Sequence, residues 1–295
     1  EAGLTDGKII MLEPRRLAAR AAAERLAEGL GEVPGQTVGY RMRGDSKPGA
    51  RIEVVTEGIL TRMIQSDPDL TGIGAIIFDE FHERSLNADL ELALCLETTS
   101  ALRDDLILVV MSATLDAEPV GALMQAPVLT SQGRAFPVEP HWLAKPVPKT
   151  RKLEEATADL ILEALSKHEG STLVFLPGEG EIRRTESRLR GVLAADTKLF
   201  TLFGAMDFQA QRAAIQPVRE GRKVVLATSI AETSLTIEGI RIVVDAGLAR
   251  RAEFDAGSGM SRLVTTRVTK AEATQRAGRA GRLAPGVCYK LWTKG

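Results

Sequence analysis

Eight short apolar runs, separated by segments of helix length, restrict the fold of this chain more than any other feature. They are "KIIML" (8–12), "RIEVV" (51–55), "AIIF" (75–78), "LILVVM" (106–111), "TLVFL" (172–176), "LFTLF" (199–203), "KVVLA" (223–227) and "RIVV" (241–244). A short apolar run without strict alternation reads as a strand buried on both faces, the condition of parallel sheets. Parallel neighbours need a crossover, and the intervening segments supply it. Over 15–30, for example, Leu17, Ala21, Leu26 and Leu30 mark one apolar face of a helix. The class expected is α/β, with parallel sheets and helices on both faces.

The alternation breaks once, at "FPVEPHWLAKPVPKTRK" (136–152), where four prolines and no helical period mark a linker. It divides the chain into domains 1–143 and 150–295. At 295 residues two domains is also the prior from length. The halves are laid out alike, which implies two related α/β domains facing one another across a cleft. Near the end, "LARRAEFDAGSGMSRLVTTRV" (248–268) differs: two β-prone runs flank Asp-Ala-Gly-Ser-Gly. That pattern predicts a hairpin projecting from the second domain.

Hydrophobic content of 44% is enough for two cores. No apolar run approaches the roughly 18 residues that a membrane span needs, so no membrane partner is expected. "EAGLTDGKII" carries no signal-peptide pattern and no initiator Met, so the chain is expected to be a fragment. Cys95 and Cys288 are far apart and in apolar surroundings, as core cysteines of a cytoplasmic protein would be. Net charge is −1, but residues 241–282 hold nine Arg or Lys against four acids. That excess suits either a phosphate-facing surface or a solvated face.

In "AIIFDEFHER" (75–84) a buried strand runs into two carboxylates and a His. Asp79 and Glu80 should leave the sheet at its carboxyl edge, where ligands bind in open α/β sheets. There they could hold a metal and a water, or simply favour a helix N-terminus. "SAT" (112–114) after its strand could be an N-cap and no more. In "QRAGRAGR" (275–282), Arg276, Arg279 and Arg282 recur every three residues. On a helix that spacing gathers guanidiniums suited to phosphate oxygens. A salt-bridged surface helix is the alternative, for which two glycines are a poor choice.

The order of the motifs is more specific than any one of them. "LEPRRLAAR" (12–20), "TEGIL" (56–60), "DEFH" (79–82), "SAT", "LVFLPGEGEI" (173–182), "ATSIAETSLTI" (227–237) and "QRAGRAGR" follow one another at or beside strand-to-helix junctions. This succession resembles the DEAH/DExH-box group of superfamily 2 helicases over nearly the whole chain. "DEFHER", "EPRRLAAR" and "GRAFPVE" resemble its bacterial HrpB-type members. The resemblance implies two RecA-like domains, ATP and Mg²⁺ as cofactors, and single-stranded or partly duplex nucleic acid, RNA favoured, as partner. It implies that Asp79 holds Mg²⁺ through a water and that Glu80 activates the attacking water. His82 would link the nucleotide site to the second domain, and Ser112 and Thr114 would couple hydrolysis to movement. Gln275, Arg279 and Arg282 would serve the nucleotide, the two arginines at the γ-phosphate. Arg15, Arg16, Thr56, Glu232, Thr233, Thr236, Arg250 and Arg251 would face the nucleic-acid backbone. The hairpin resembles the family's strand-separating element.

Two departures stand out. Ser229 occupies a position where the family usually has Asn. The phosphate-binding pattern G-x-x-x-x-G-K-[ST] is absent: the Gly7-Lys8 pair is followed by Ile9. In the family that loop comes before the helix that precedes "KIIML", so it is expected upstream of Glu1 rather than altered by mutation. The winged-helix and accessory domains of the group are likewise expected beyond "VCYKLWTKG". Without the loop, the chain also fits a nucleic-acid-binding scaffold that has lost turnover.

Overall fold

A computed structural model describes residues 3–113, 117–131, 133, 136–232 and 237–294. The chain forms two units, 1–131 and 132–295.

The first unit runs β1 (Lys8–Glu13), α1 (Arg16–Gly29), β2 (Val38–Met42), β3 (Asp45–Lys47), β4 (Ile52–Thr56), α2 (Glu57–Ser66), β5 (Ile73–Phe78), α3 (Leu86–Ala101), β6 (Ile107–Val110) and α4 (Glu118–Met124). Its sheet has the order β3-β2-β4-β1-β5-β6, parallel except for the short β3 at the edge. Ile10, Leu12, Ile76 and Phe78 pack with Leu60 and Leu92 in one apolar cluster. Val38, Tyr40 and Val54 pack with Ala19, Ala23 and Ala27 in another. That second cluster corrects the apolar face expected for α1. Leu26 and Leu30 are 39% and 53% exposed, while the alanines at 19, 23 and 27 are fully buried. Alanines at i, i+4, i+8 give a flat stripe on which a helix backbone can lie close to the sheet.

The second unit runs β7 (Val138–Trp142), α5 (Leu153–Lys167), β8 (Ser171–Phe175), α6 (Glu179–Leu189), β9 (Thr197–Leu202), α7 (Phe208–Ile215), β10 (Arg222–Ala227), β11 (Ile240–Asp245), β12 (Leu248–Asp255), β13 (Met260–Arg267), α8 (Lys270–Gly278) and β14 (Gly286–Lys290). Its parallel sheet has the order β7-β14-β11-β8-β10-β9. Val174, Leu226, Val244 and Tyr289 from this sheet pack with Ile161 and Ile182 from its helices. The buried Lys223 donates from Nζ to the carbonyls of Ala214, Ile215 and Gln216, closing the C-terminus of α7. β12 and β13 form the expected antiparallel hairpin as a separate two-stranded ribbon, Leu248 opposite Arg267 and Asp255 opposite Met260.

The segment read as a linker contributes β7, so the first unit ends before residue 143. β7 lies at the edge of its sheet, where Pro140 removes no hydrogen bond that a further strand would need. The fold is α/β throughout: two RecA-like domains and a projecting hairpin.

Candidate functional site

In the first unit the motifs meet along one sheet edge. Strands β4, β1, β5 and β6 are consecutive neighbours, with Glu13 in register with Thr56, Leu12 with Phe78, and Phe78 with Val110. Their carboxyl ends therefore bring together Thr56, the Glu13–Arg16 stretch, Asp79–Glu80 and Ser112. Thr56 stands half-buried before α2, Arg16 is exposed at the start of α1, and Ser112 is exposed after β6. Thr114 lies outside the described residues.

The turn at Asp79–Arg84 is held from several sides. The N–H of Asp79 donates to the Leu12 carbonyl at 3.0 Å, and that of Phe81 to the Met111 carbonyl at 3.0 Å. Asp79 Oδ1 accepts the N–H of Glu80 at 2.8 Å. Glu80 and Arg84 both adopt left-handed backbone, each at φ 51°, which folds the chain sharply around Phe81. Non-glycine residues adopt that region sparingly, and it is a mark of functional turns. His82 Nδ1 accepts the N–H of Ala113 at 3.3 Å, which leaves the ring proton on Nε2. Nε2 lies 3.4 Å from Glu80 Oε2. The motifs "DEFH" and "SAT", 33 residues apart from Asp79 to Ser112, are thus joined through one imidazole.

Two further ties hold this edge. Arg15 donates from Nε and Nη2 to Glu83 Oε2 at 3.3 and 3.2 Å. The hydroxyl of Ser85 donates to Glu57 at 2.5 Å and accepts the N–H of Ala88, capping α3.

Glu13 escapes the sequence reading. Its side chain is 3% exposed, yet it is a carboxyl at the end of β1. Burial pushes its pKa up to about 9, helped by a hydrogen bond with Asp79 and by the charges of Asp79, Glu80 and Glu83. Its Oε2 has no hydrogen-bond partner. A signal is present: an acid closes an apolar run, on the strand neighbouring "AIIFDE". An all-oxygen cluster with spare acceptor capacity fits Mg²⁺, which prefers hard oxygen ligands. Among the described residues, no three His, Cys, Asp or Glu are grouped to hold a metal by themselves.

In the second unit the arginine motif departs from the single helical face expected. α8 starts with a capping box, Thr269 and Glu272 each accepting the other's backbone N–H, and ends at Gly278. A 3₁₀ turn follows over Arg279–Gly281, so the three arginines diverge. Arg276 is 1% exposed and lies on the Phe175 ring, 4.9 Å from its centroid. Arg279 is buried and donates from Nε to the Glu232 carbonyl at 2.8 Å, with Nη2 on the same oxygen. Arg282 is exposed, and Gln275 half-buried on α8. Gly281 serves packing: a Cβ there would meet the Phe136 carbonyl oxygen at 2.4 Å, just before β7.

Glu232 is 5% exposed and lies 3.4 Å from Arg276. Its side chain is turned inward, which corrects its expected place on a nucleic-acid-facing surface. The cause is local: it supplies the buried counter-charge that Arg276 needs. Thr233 and Thr236 lie outside the described residues. Arg250 lies across Gly178, whose absent side chain makes room for the guanidinium, and is 3.4 Å from Glu181. Arg251 is 2.5 Å from Glu272. Both arginines keep about two-fifths of their side-chain surface exposed, at 41% and 40%.

Two RecA-like domains carrying this motif set in this order are the arrangement of the DEAH/DExH-box helicases of superfamily 2, and it is to that family that the chain is similar. Residues 152–284 match the helicase conserved C-terminal domain. Within the family the chain is similar to the HrpB type. It is 56% identical to the ATP-dependent RNA helicase HrpB of Escherichia coli over 293 residues, 98% of this chain and 36% of that protein. The pre-mRNA-splicing factor ATP-dependent RNA helicase prp22 of Schizosaccharomyces pombe is 39% identical over 306 residues, 100% of this chain and 26% of its own. A crystal structure of the E. coli DEAH/RHA helicase HrpB superposes with a TM-score of 0.92, covering 98% of this chain and 37% of that one. The chain thus spans about a third of the length of the HrpB sequence it matches.

Proposed function

We propose that this chain is the core of an ATP-dependent nucleic-acid helicase, RNA favoured, in which hydrolysis drives translocation or unwinding. The observation that supports it best is the continuous Asp79–Glu80–His82–Ala113 connection at the sheet edge. A bound ATP with its Mg²⁺ would supply the phosphoryl group and the charge that polarises it. Asp79 would hold the metal through a water, and the neighbouring Glu13 would keep Asp79 in place. Glu80 orients the attacking water and takes its proton, as a general base must. His82 ties Glu80 to Ala113, so a shift at either end is felt at the other. Arg279 and Arg282 stabilise charge at the γ-phosphate, a role worth roughly 10³–10⁵ in rate in related hydrolases.

The nucleic acid would run over Arg15, Arg16 and Thr56 on one unit and over the hairpin base at Arg250 and Arg251 on the other. Such tracks bind through phosphates and carry little base information. Among the described residues no helix is long and apolar enough to cross a membrane. We place the activity in the cytoplasm, in keeping with two free, buried cysteines.

A nucleic-acid-binding scaffold without turnover is the second reading. Steady-state ATPase of the full-length protein, with and without poly(U), separates the two. RNA-stimulated hydrolysis is expected. Strand binding without hydrolysis would establish the scaffold.

A further inference from the structure

Arg276 belongs to the arginine motif, yet at 1% exposure it is not turned to solvent. Its guanidinium instead grips two separate segments. Nη1 donates to Asp245 Oδ1 at 2.8 Å and to the Leu248 carbonyl at 3.3 Å. Asp245 Oδ1 also accepts the N–H of Gly247 at 2.8 Å, so this arm of the fork holds the entry of the hairpin. Nη2 lies 3.4 Å from Glu232 Oε2. Glu232 is the same residue whose carbonyl receives Nε of Arg279. One buried path therefore runs from the first residue of the hairpin, through Arg276 and Glu232, to Arg279.

The chemistry favours arginine for this place. A planar fork holds two partners in fixed relative geometry, whereas an ammonium is a point charge on a flexible stem. The bonds are charge-assisted and shielded from water, which makes them strong and costly to leave unmade. Close-packed polar networks of this kind have discrete arrangements rather than a continuum.

We propose that Arg276 is a positioning residue that relays strand occupancy at the hairpin to Arg279. A strand bound at the hairpin shifts 245–248; Arg276 follows, and the Glu232 carbonyl that aims Arg279 is reset. The relay rests on the helicase reading above, in which the hairpin meets nucleic acid and Arg279 meets the nucleotide. The readout is the ratio of kcat with saturating poly(U) to kcat without it, measured on the full-length protein. That ratio cancels any loss of folded material, which a merely structural role would produce.

Arg276→Lys should lower the ratio by about tenfold, within the usual range of a coupling between sites. The KM for ATP and the Kd for poly(U) should stay within about threefold, since neither ligand touches Arg276. Glu232→Gln, which keeps the carbonyl and the side-chain size, should lower the ratio in the same direction and decides the matter if Arg276→Lys does not fold. A stimulated wild type with an unmoved ratio in the folded variants overturns the relay alone. A wild type indifferent to poly(U) overturns the helicase reading and the relay with it.

Discussion

His82 stands between Glu80 and Ala113, with Nε2 3.4 Å from the Glu80 carboxylate and Nδ1 accepting the Ala113 N–H at 3.3 Å. The imidazole thus bridges the carboxylate motif and the loop after β6. His82→Ala should therefore lower kcat for ATP by about tenfold or more and leave the KM within about threefold. Steady-state kinetics of the full-length protein check this. A large rise in KM with kcat intact would make His82 part of ground-state binding instead.

Glu80 is the assigned base. Glu80→Gln keeps the shape of the turn and the left-handed backbone but removes the proton acceptor. ATP binding by equilibrium titration should be kept, while turnover falls by about 10²–10⁴, the usual worth of general-base catalysis. A fall of less than about tenfold would assign the base elsewhere.

The 295-residue chain expressed by itself should hydrolyse ATP negligibly. Its 295 residues do not include the G-x-x-x-x-G-K-[ST] pattern, whose backbone N–H groups and lysine hold the β- and γ-phosphates. Hydrolysis at the rate of the full-length protein, in a clean preparation, would show that other groups bind those phosphates.

Glu91 makes the first unit sensitive to pH. It is fully buried on α3 and accepts the N–H and the hydroxyl of Thr61 at 2.9 and 2.5 Å, bolting α2 to α3. Its Oε2 has no hydrogen-bond partner. Burial pushes its pKa up to about 7, with the Glu57 charge adding to the rise and the Thr61 bonds opposing it. A folded pKa above the ordinary 4.5 means that the folded state holds its proton longer. The stabilisation is fully present below about pH 4.5 and is lost as pH rises through about 7. At 1.36 kcal/mol per pKa unit the effect is at most about 3 kcal/mol. Melting temperatures of the chain and of Glu91→Gln across pH 4.5 to 8 test it. The wild type should lose stability relative to the variant as pH rises, and parallel curves would refute the assignment.

Much of this architecture is legible because apolar runs ending in charged residues are how buried parallel strands must look. All eight runs form strands, and the strand ends carry the motifs to one edge of each sheet. β2, β7 and β14 escape such a reading, for local reasons. "VGYRM" and "GVCYK" mix glycine and charge into short strands, and "VEPHW" carries a proline that only an edge position tolerates. Burial is the harder quantity. Nothing in "QRAGRAGR" says that Arg276 points inward, because its partners Asp245 and Glu232 lie 31 and 44 residues away. The inward turn of Glu232 is hidden for the same reason.

In the full-length protein the two arginine groups of the second unit should behave oppositely. Arg282 is exposed just past the 3₁₀ turn and is assigned to the γ-phosphate. Arg250 and Arg251, at the hairpin base, are assigned to the strand. Arg282→Ala should lower kcat strongly and leave nucleotide-free strand affinity nearly unchanged. Arg250→Ala with Arg251→Ala should weaken binding about equally for unrelated sequences, since phosphates are common to all. It should also flatten the salt dependence, because every phosphate left without its arginine on a single strand takes about 0.7 from the log–log slope. The ion pairs with Glu181 and Glu272 are half-exposed, so their removal alone should cost no more than about 1 kcal/mol of stability. Were all three arginines merely surface residues, neither variant would change more than stability, and that by about 0.5 kcal/mol. ATPase and salt-titrated binding on both variants separate these outcomes. If Arg282→Ala weakens strand binding and spares hydrolysis, the arginine belongs to the nucleic-acid track and the γ-phosphate must be met by other groups.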